Sequence, residues 1–173
     1  MKIALLGNPN CGKTTLFNKL TNTYQRVGNW TGVTVEKKLG EYVKDKSIKI
    51  IDLPGIYSLK AKMPEEKACV ESLINDAPNV IINLVDATSL EKSLYLTCEL
   101  CSMSIPFVIA LNMCDELNKN GIKIDLEKLS KAFGVPIIEV SALKNINLDN
   151  LIFLAKNSLN ARGKIDLKGY TNM

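Results

Sequence analysis

The sequence has 173 residues and is 46% hydrophobic, which matches one α/β domain with a real buried core. Its formal charge of +4 comes from 22 basic and 18 acidic residues spread evenly, without the basic face that nucleic-acid binding needs, so no nucleic-acid partner is expected. No apolar run approaches the ~20 residues of a membrane helix, and the chain opens straight into a strand rather than a leader, so a cytoplasmic location is expected.

In chain order, Lys2 to Leu6 reads as a buried strand. Gly7-Asn8-Pro9-Asn10-Cys11-Gly12-Lys13-Thr14 then fits the pattern GxxxxGK[ST] in its required strand-to-helix context. Such a loop turns successive backbone N–H groups toward phosphate oxygens at the positive end of a helix. Lys13 would neutralise β- and γ-phosphate charge, and the Thr14 hydroxyl would ligate Mg²⁺. The nucleotide-binding assignment runs on to Thr15. Cys11 sits near a helix N-terminus, a position where a thiol pKa can fall and oxidation become easier, with a bystander role as the default.

The helix from Lys13 to Leu20 has Leu16, Phe17 and Leu20 as its inner face. Thr21 to Val33 is polar, carries Gly28 and Gly32, and reads as a long functional loop. Val35 to Val43 and Ser47 to Leu53 read as a hairpin turning at Lys44-Asp45-Lys46, which gives a mostly parallel sheet one antiparallel edge. Glu65 to Asn75 is a helix, Val80 to Val85 a buried strand, Ser89 to Met103 a helix and Phe107 to Leu111 a buried strand. Asp125 to Phe133 is a helix, Val135 to Val140 a strand, and Asn147 to about Ala161 the closing helix. The polar segment from 162 to 173, with Gly163 and Gly169, reads as a linker or the start of a following domain, which leaves 1–161 as the nucleotide-binding domain.

Further chemistry-bearing residues fall at strand ends, where ligands bind in open α/β sheets. Asp52-Leu53-Pro54-Gly55 places a carboxylate that can hold Mg²⁺ opposite Thr14, and a Gly55 N–H that can meet a γ-phosphate. Thr34, with Gly32 and Val33 before it, is positioned to reach the same Mg²⁺ only when a γ-phosphate is present, which makes Thr21 to Val35 a segment ordered by triphosphate. Asn112-Met113-Cys114-Asp115 offers an amide and a carboxylate. Asp115 can accept from guanine N1–H and the N2 amino group, a pair that adenine does not present. Ser141-Ala142-Leu143 follows another strand and could place a backbone N–H on guanine O6. The five cysteines are irregularly spaced and read as reduced thiols, with Cys98 and Cys101 packing on one helix face.

These elements occur in the order and spacing of the Ras-like P-loop GTPase superfamily, and more narrowly the chain resembles the G domain of the FeoB family of ferrous iron transporters. The motifs are Gly7-Asn-Pro-Asn10, Val27-Gly-Asn-Trp30, Gly32-Val-Thr-Val-Glu36, Asp52-Leu-Pro-Gly-Ile-Tyr-Ser58 and Asn112-Met-Cys-Asp115. The resemblance implies a mostly parallel six-stranded sheet with one antiparallel edge strand and helices on both faces. It also implies a slow GTPase that binds GTP and GDP with Mg²⁺, and a helical domain and membrane permease beyond Met173; the oligomeric state stays open. It implies K⁺ as an activator, marked by Asn10 and completed by backbone carbonyls around Gly28 and Trp30. Catalysis would then rest on Asn10, Lys13, Thr34 and Gly55.

Ile56 stands where Ras-like enzymes carry the glutamine that orients water, so backbone groups of the loop containing Trp30 and Thr34 are expected to position it. Arg26 has no supported role. Met113 replaces the lysine that usually lies along the base, which predicts weaker GDP binding and fast release. Glu65 and Glu66 could support the moving loops or simply favour a helix N-terminus. Trp30 reads either as packing over nucleotide or cation or as a partner-facing residue. An RNA-associated GTPase and a non-catalytic nucleotide-sensing module are the rival functions.

Overall fold

Alternation with period two explains the centre of the sheet. In β1 (Lys2–Gly7), Ile3 and Leu5 point into one hydrophobic cluster, Ala4 and Leu6 into another, and all four are fully buried. A strand apolar on both faces belongs inside a parallel sheet covered on both sides. The structure, a computed structural model, describes residues 1–22, 24–30, 32, 34 and 36–165.

After β1 the chain forms α1 (Lys13–Thr21), β2 (Tyr24–Asn29), β3 (Glu36–Tyr42), β4 (Asp45–Asp52), α2 (Pro64–Asn75) and β5 (Val80–Asp86). A 3-10 turn at Ala87–Ser89 leads into α3 (Leu90–Leu100), followed by β6 (Phe107–Asn112), α4 (Cys114–Lys119), α5 (Leu126–Phe133), β7 (Ile137–Val140) and α6 (Leu148–Lys156). One seven-stranded sheet results, in the order β2-β3-β4-β1-β5-β6-β7. Strand β1 pairs in parallel with β4 and β5, β5 with β6, and β6 with β7. Leu16, Phe17 and Leu20 of α1 pack on one face with Leu148, Leu151 and Ile152 of α6. Ala68, Cys69 and Leu73 of α2 cover the other, with Leu96 and Leu100 of α3 and Phe133 of α5.

Six strands were expected and the described residues hold seven. The extra one, β2, lies in the polar segment read as a loop and pairs antiparallel with β3, Arg26 opposite Lys38. An edge strand has only one neighbour to pair with, and its register breaks between Arg26 and Asn29 around Gly28 at φ +113°, so the run carries little apolar periodicity to betray it. The sheet therefore ends in an antiparallel pair of strands rather than a single one. The hairpin turns at Val43-Lys44, because Asp45 already belongs to β4 and accepts from Ser47 N and Ser47 Oγ.

Helix α3 stops at Leu100 and α6 at Lys156, both earlier than their apolar patterns suggest. Residues 161–165 run back along the domain. Ala161 O accepts from Phe107 N at 2.9 Å, Lys164 N donates to Phe133 O at 2.8 Å, and Arg162 Nε donates to Ser104 O at 2.9 Å. At Gly163 a Cβ would lie 2.4 Å from Phe107 Cε1, so a side chain there would prevent this close packing. The segment from 166 to 173 lies outside the described residues.

The register then sets the site. Leu5 pairs with Asp52, Asp86 with Asn112 and Asn112 with Val140, so the carboxyl ends of β1, β4, β5, β6 and β7 share one edge.

Candidate functional site

The loop between β1 and α1 is held by its own glycines. Gly12 adopts φ +94°, and a Cβ there would lie 2.3 Å from Asn112 Nδ2; a Cβ on Gly7 would meet Leu84 O at 2.7 Å. Asn10 takes the left-handed conformation at φ 66°, which asparagine tolerates better than most residues. No side chain caps α1, which leaves its first-turn N–H groups to another acceptor, the arrangement that suits a bound anion.

This loop lines a cavity of about 620 Å³ together with Lys13, Thr14, Thr15 and the Asp52–Gly55 segment. Lys13 Nζ donates to Asp52 Oδ1 at 2.5 Å, with both side chains at most one-tenth exposed. Gly55 approaches the phosphate loop so closely that a Cβ would sit 3.2 Å from Pro9 Cα, and Ile56 N donates to Gly7 O at 3.1 Å. Thr14 Oγ1 and the Asp52 carboxylate are hard oxygen donors lining one cavity, a donor set that fits Mg²⁺.

A second cavity of about 280 Å³ shares Gly12, Thr15 and Met113 with the first, which makes the two halves of one cleft. Met113, Ala142 and Leu143 give it apolar walls, and Asp115 lies at its rim. Met113 takes φ 67° as β6 hands over to α4, a short helix the sequence pattern did not reveal. Asn112 is 3% exposed; its Nδ2 donates to Cys11 O at 2.9 Å and its Oδ1 accepts from Ala142 N at 3.0 Å. Both ends of this amide are thus engaged by protein, and it ties the phosphate loop to the segment after β7. That segment closes on itself, since Ser141 and Ile146 exchange backbone hydrogen bonds of 3.2 and 3.0 Å. Lys144 Nζ reaches Asp115 Oδ2 at 2.7 Å and holds the Asp115 carboxyl below its ordinary range.

Other expected residues are not gathered here. Gly28, Gly32 and Thr34 are exposed and do not line the cleft, and Val33 lies outside the described residues, as does the Arg26 side chain. The Trp30 side chain is buried in the same cluster as Leu53 and Ile56, with Lys37 Nζ 4.7 Å above its ring, so it is a core residue rather than a partner-facing one. Burial pushes the Cys11 thiol up to about 11 rather than down, because desolvation outweighs the nearby Lys13 charge, which agrees with the bystander role. Cys98 and Cys101 pack against the core, burial raises both thiols, and among the described residues no three or more His, Cys, Asp or Glu gather where they could hold a metal ion. Glu66 Oε2 accepts from the backbone N–H groups of Lys62 and Met63, which secures the start of α2.

Sequence reading missed Glu36 and Lys38, which line the Lys13 end of the cleft from β3. Their spacing of two residues on one strand face was the available signal. It also missed Lys144, and Glu99 of α3, whose carboxylate accepts from Ser58 Oγ at 3.0 Å and Leu59 N at 2.5 Å.

Residues 1–154 match the family model described as ferrous iron transport protein B. The Fe(2+) transporter FeoB of Legionella pneumophila (strain Paris) is 51% identical over 152 residues, covering 85% of this chain and 20% of that protein. The chain thus spans about a fifth of the length of such relatives. Among solved structures, a GDP-bound mutant of S. thermophilus NFeoB superimposes with a TM-score of 0.86 at 48% identity, covering 93% of this chain and 64% of that one. The cytosolic domain of L. pneumophila FeoB gives 0.86 at 47% identity, with 95% and 66% covered.

Proposed function

This chain belongs to the ferrous iron transport protein B family, and from that premise we propose that it binds GTP and GDP and hydrolyses GTP as the nucleotide-operated part of a ferrous iron transporter. The observation that carries the reading is one continuous cleft in which Lys13, Thr14, Asp52 and Gly55 occupy one end and Asp115 the other. Those residue types suit a triphosphate with its metal and a guanine, and the cleft joins them.

In this mechanism Lys13 and the N–H groups of the phosphate loop hold the β- and γ-phosphates, while Gly55 N–H meets the γ-phosphate. Thr14 and Asp52 hold Mg²⁺, which when bound neutralises charge developing on the phosphate oxygens. Thr34, exposed here, would be a further ligand for the same ion when a γ-phosphate is present. Ile56 is 2% exposed and buried in the core, so water is positioned by other groups, with backbone groups of the loop bearing Trp30 and Thr34 assigned to that task.

Asn10, at φ 66° in the cavity wall, is assigned as the marker of a K⁺ site shared with carbonyls near Gly28 and Trp30. A cation held there would supply the positive charge that an arginine otherwise brings to the phosphates. No helix among the described residues is long and apolar enough to cross a membrane. Attachment to a permease at the cytoplasmic face of the membrane is assigned to the full-length transporter, since the chain spans about a fifth of the length of its relatives.

The test is phosphate release from Mg·GTP in KCl and NaCl, with Asn10→Ala alongside. K⁺ stimulation lost in the variant is expected; equal rates in both salts refute the cation role. The burial of Ile56 favours one second reading, a nucleotide-sensing module with negligible hydrolysis, and single-turnover kinetics in KCl separate the two.

A further inference from the structure

The carboxylate that reads guanine is already engaged by this chain. Lys144 Nζ lies 2.7 Å from Asp115 Oδ2, and a hydrogen bond from Ser141 also favours the charged carboxylate. The turn closed by the Ser141–Ile146 backbone pair positions Lys144, whose own N–H donates to Ser141 Oγ at 3.3 Å. Lys144 thus follows directly on Ser141, Ala142 and Leu143, which line the base cavity, and meets that cavity through its contact with Asp115. Asp115 is 19% exposed and Lys144 45%, so the pair straddles the pocket rim.

Guanine presents N1–H and an N2 amino hydrogen side by side, a two-donor edge that uses both oxygens of a carboxylate. Lys144 holds one of those oxygens. We propose that Lys144 is a specificity-site gate, competing with the guanine edge for Asp115 so that guanine nucleotides bind less tightly and leave faster. This rests on the guanine reading above and extends it to a residue outside the Asn112–Asp115 segment.

A carboxylate neutralised before the ligand arrives gains less from the ligand, because the ion pair must be given up or shared. When the base enters, the 45% exposed Lys144 ammonium passes to solvent, so its displacement strands no buried charge, although Glu116 nearby is already paired with Lys119 Nζ at 3.0 Å. The competition acts equally on GDP and GTP, far from the phosphates, and so alters ground-state and transition-state binding together.

The experiment uses Lys144→Met, which keeps the stem and removes the charge, beside Lys144→Arg, which keeps the pair. Kd and release rate are measured for GDP and for inosine diphosphate, which lacks the 2-amino group and so needs only one carboxylate oxygen. Lys144→Met is expected to tighten GDP binding and slow release about two- to fivefold, the range of a partly exposed ion pair. The gain should be smaller for inosine diphosphate and should shrink at high NaCl. KM for GTP should fall with kcat unchanged, and Lys144→Arg should behave as the parent chain. GDP binding that is unchanged or weaker in Lys144→Met, or an equal gain for both nucleotides, overturns the gate. A parent chain that binds GDP no better than ADP overturns the guanine reading itself, and the gate with it.

Discussion

Lys13 Nζ donates to Asp52 Oδ1 across 2.5 Å, so the cation assigned to phosphate and the carboxylate assigned to Mg²⁺ neutralise each other inside the cleft. On the proposed function, binding of a metal–nucleotide complex would exchange this pair, phosphate for the carboxylate at Lys13 and metal for the ammonium at Asp52. Because both groups are nearly buried, removing one leaves the other uncompensated. Lys13→Met is expected to cost about 3 kcal/mol in urea unfolding, and the double variant Lys13→Met/Asp52→Leu to recover most of it. Additive costs in the double variant would refute the coupling.

Asn112 joins the two ends of the cleft through Cys11 O and Ala142 N. Asn112→Asp keeps the acceptor for Ala142 but aims a carboxylate oxygen at the Cys11 carbonyl. A loss of about 2 kcal/mol in stability is expected, with GDP affinity falling as well because phosphate loop and base loop lose their common brace. Urea unfolding and GDP titration together check this. An unchanged fold with weaker GDP binding would instead mean that the amide touches the ligand.

Burial pushes the Cys11 thiol from 9.0 up to about 11, so between those values the folded chain keeps a proton that the unfolded chain has released. Fewer protons on the unfolded state mean that stability falls as pH rises through this window. The slope from this thiol approaches about 1.4 kcal/mol per pH unit. Urea unfolding from pH 8 to 11 should show a shallower decline in Cys11→Ala than in the parent chain. Identical slopes would remove the thiol as the cause.

What was legible in the sequence follows from how each element signals itself. Strands β1, β5 and β6 are apolar on both faces, and the glycines of the phosphate loop answer to steric limits that only Gly12 and its neighbours satisfy, so both could be read directly. Strand β2 could not, because its polar run and irregular register leave no periodicity. Helix α4 has six residues, too few to show a repeat. Asn112 was found, but whether its amide faces ligand or loop depends on which segment folds beside it. Lys144 and Glu99 owe their roles wholly to tertiary neighbours.

Glu99 illustrates that last class and yields a prediction. Its carboxylate on α3 accepts from Ser58 Oγ and Leu59 N, with Lys60 Nζ 3.8 Å away, while Ile56 N is tied to Gly7 O. The segment following Gly55 is thus fastened at one end to the phosphate loop and at the other to α3. Hydrogen bonds to a charged acceptor contribute about 1.5–3 kcal/mol, enough to govern local opening. Glu99→Ala is expected to speed amide exchange at Leu59 by about tenfold or more. Emission of the lone Trp30 should shift with it, since Trp30 shares its cluster with Leu53 and Ile56 and Leu59 packs against that cluster. Glu99→Gln should restore only part of the protection, because its amide nitrogen cannot accept from Leu59 N. Unchanged Leu59 exchange in Glu99→Ala would show that core packing alone fixes the segment.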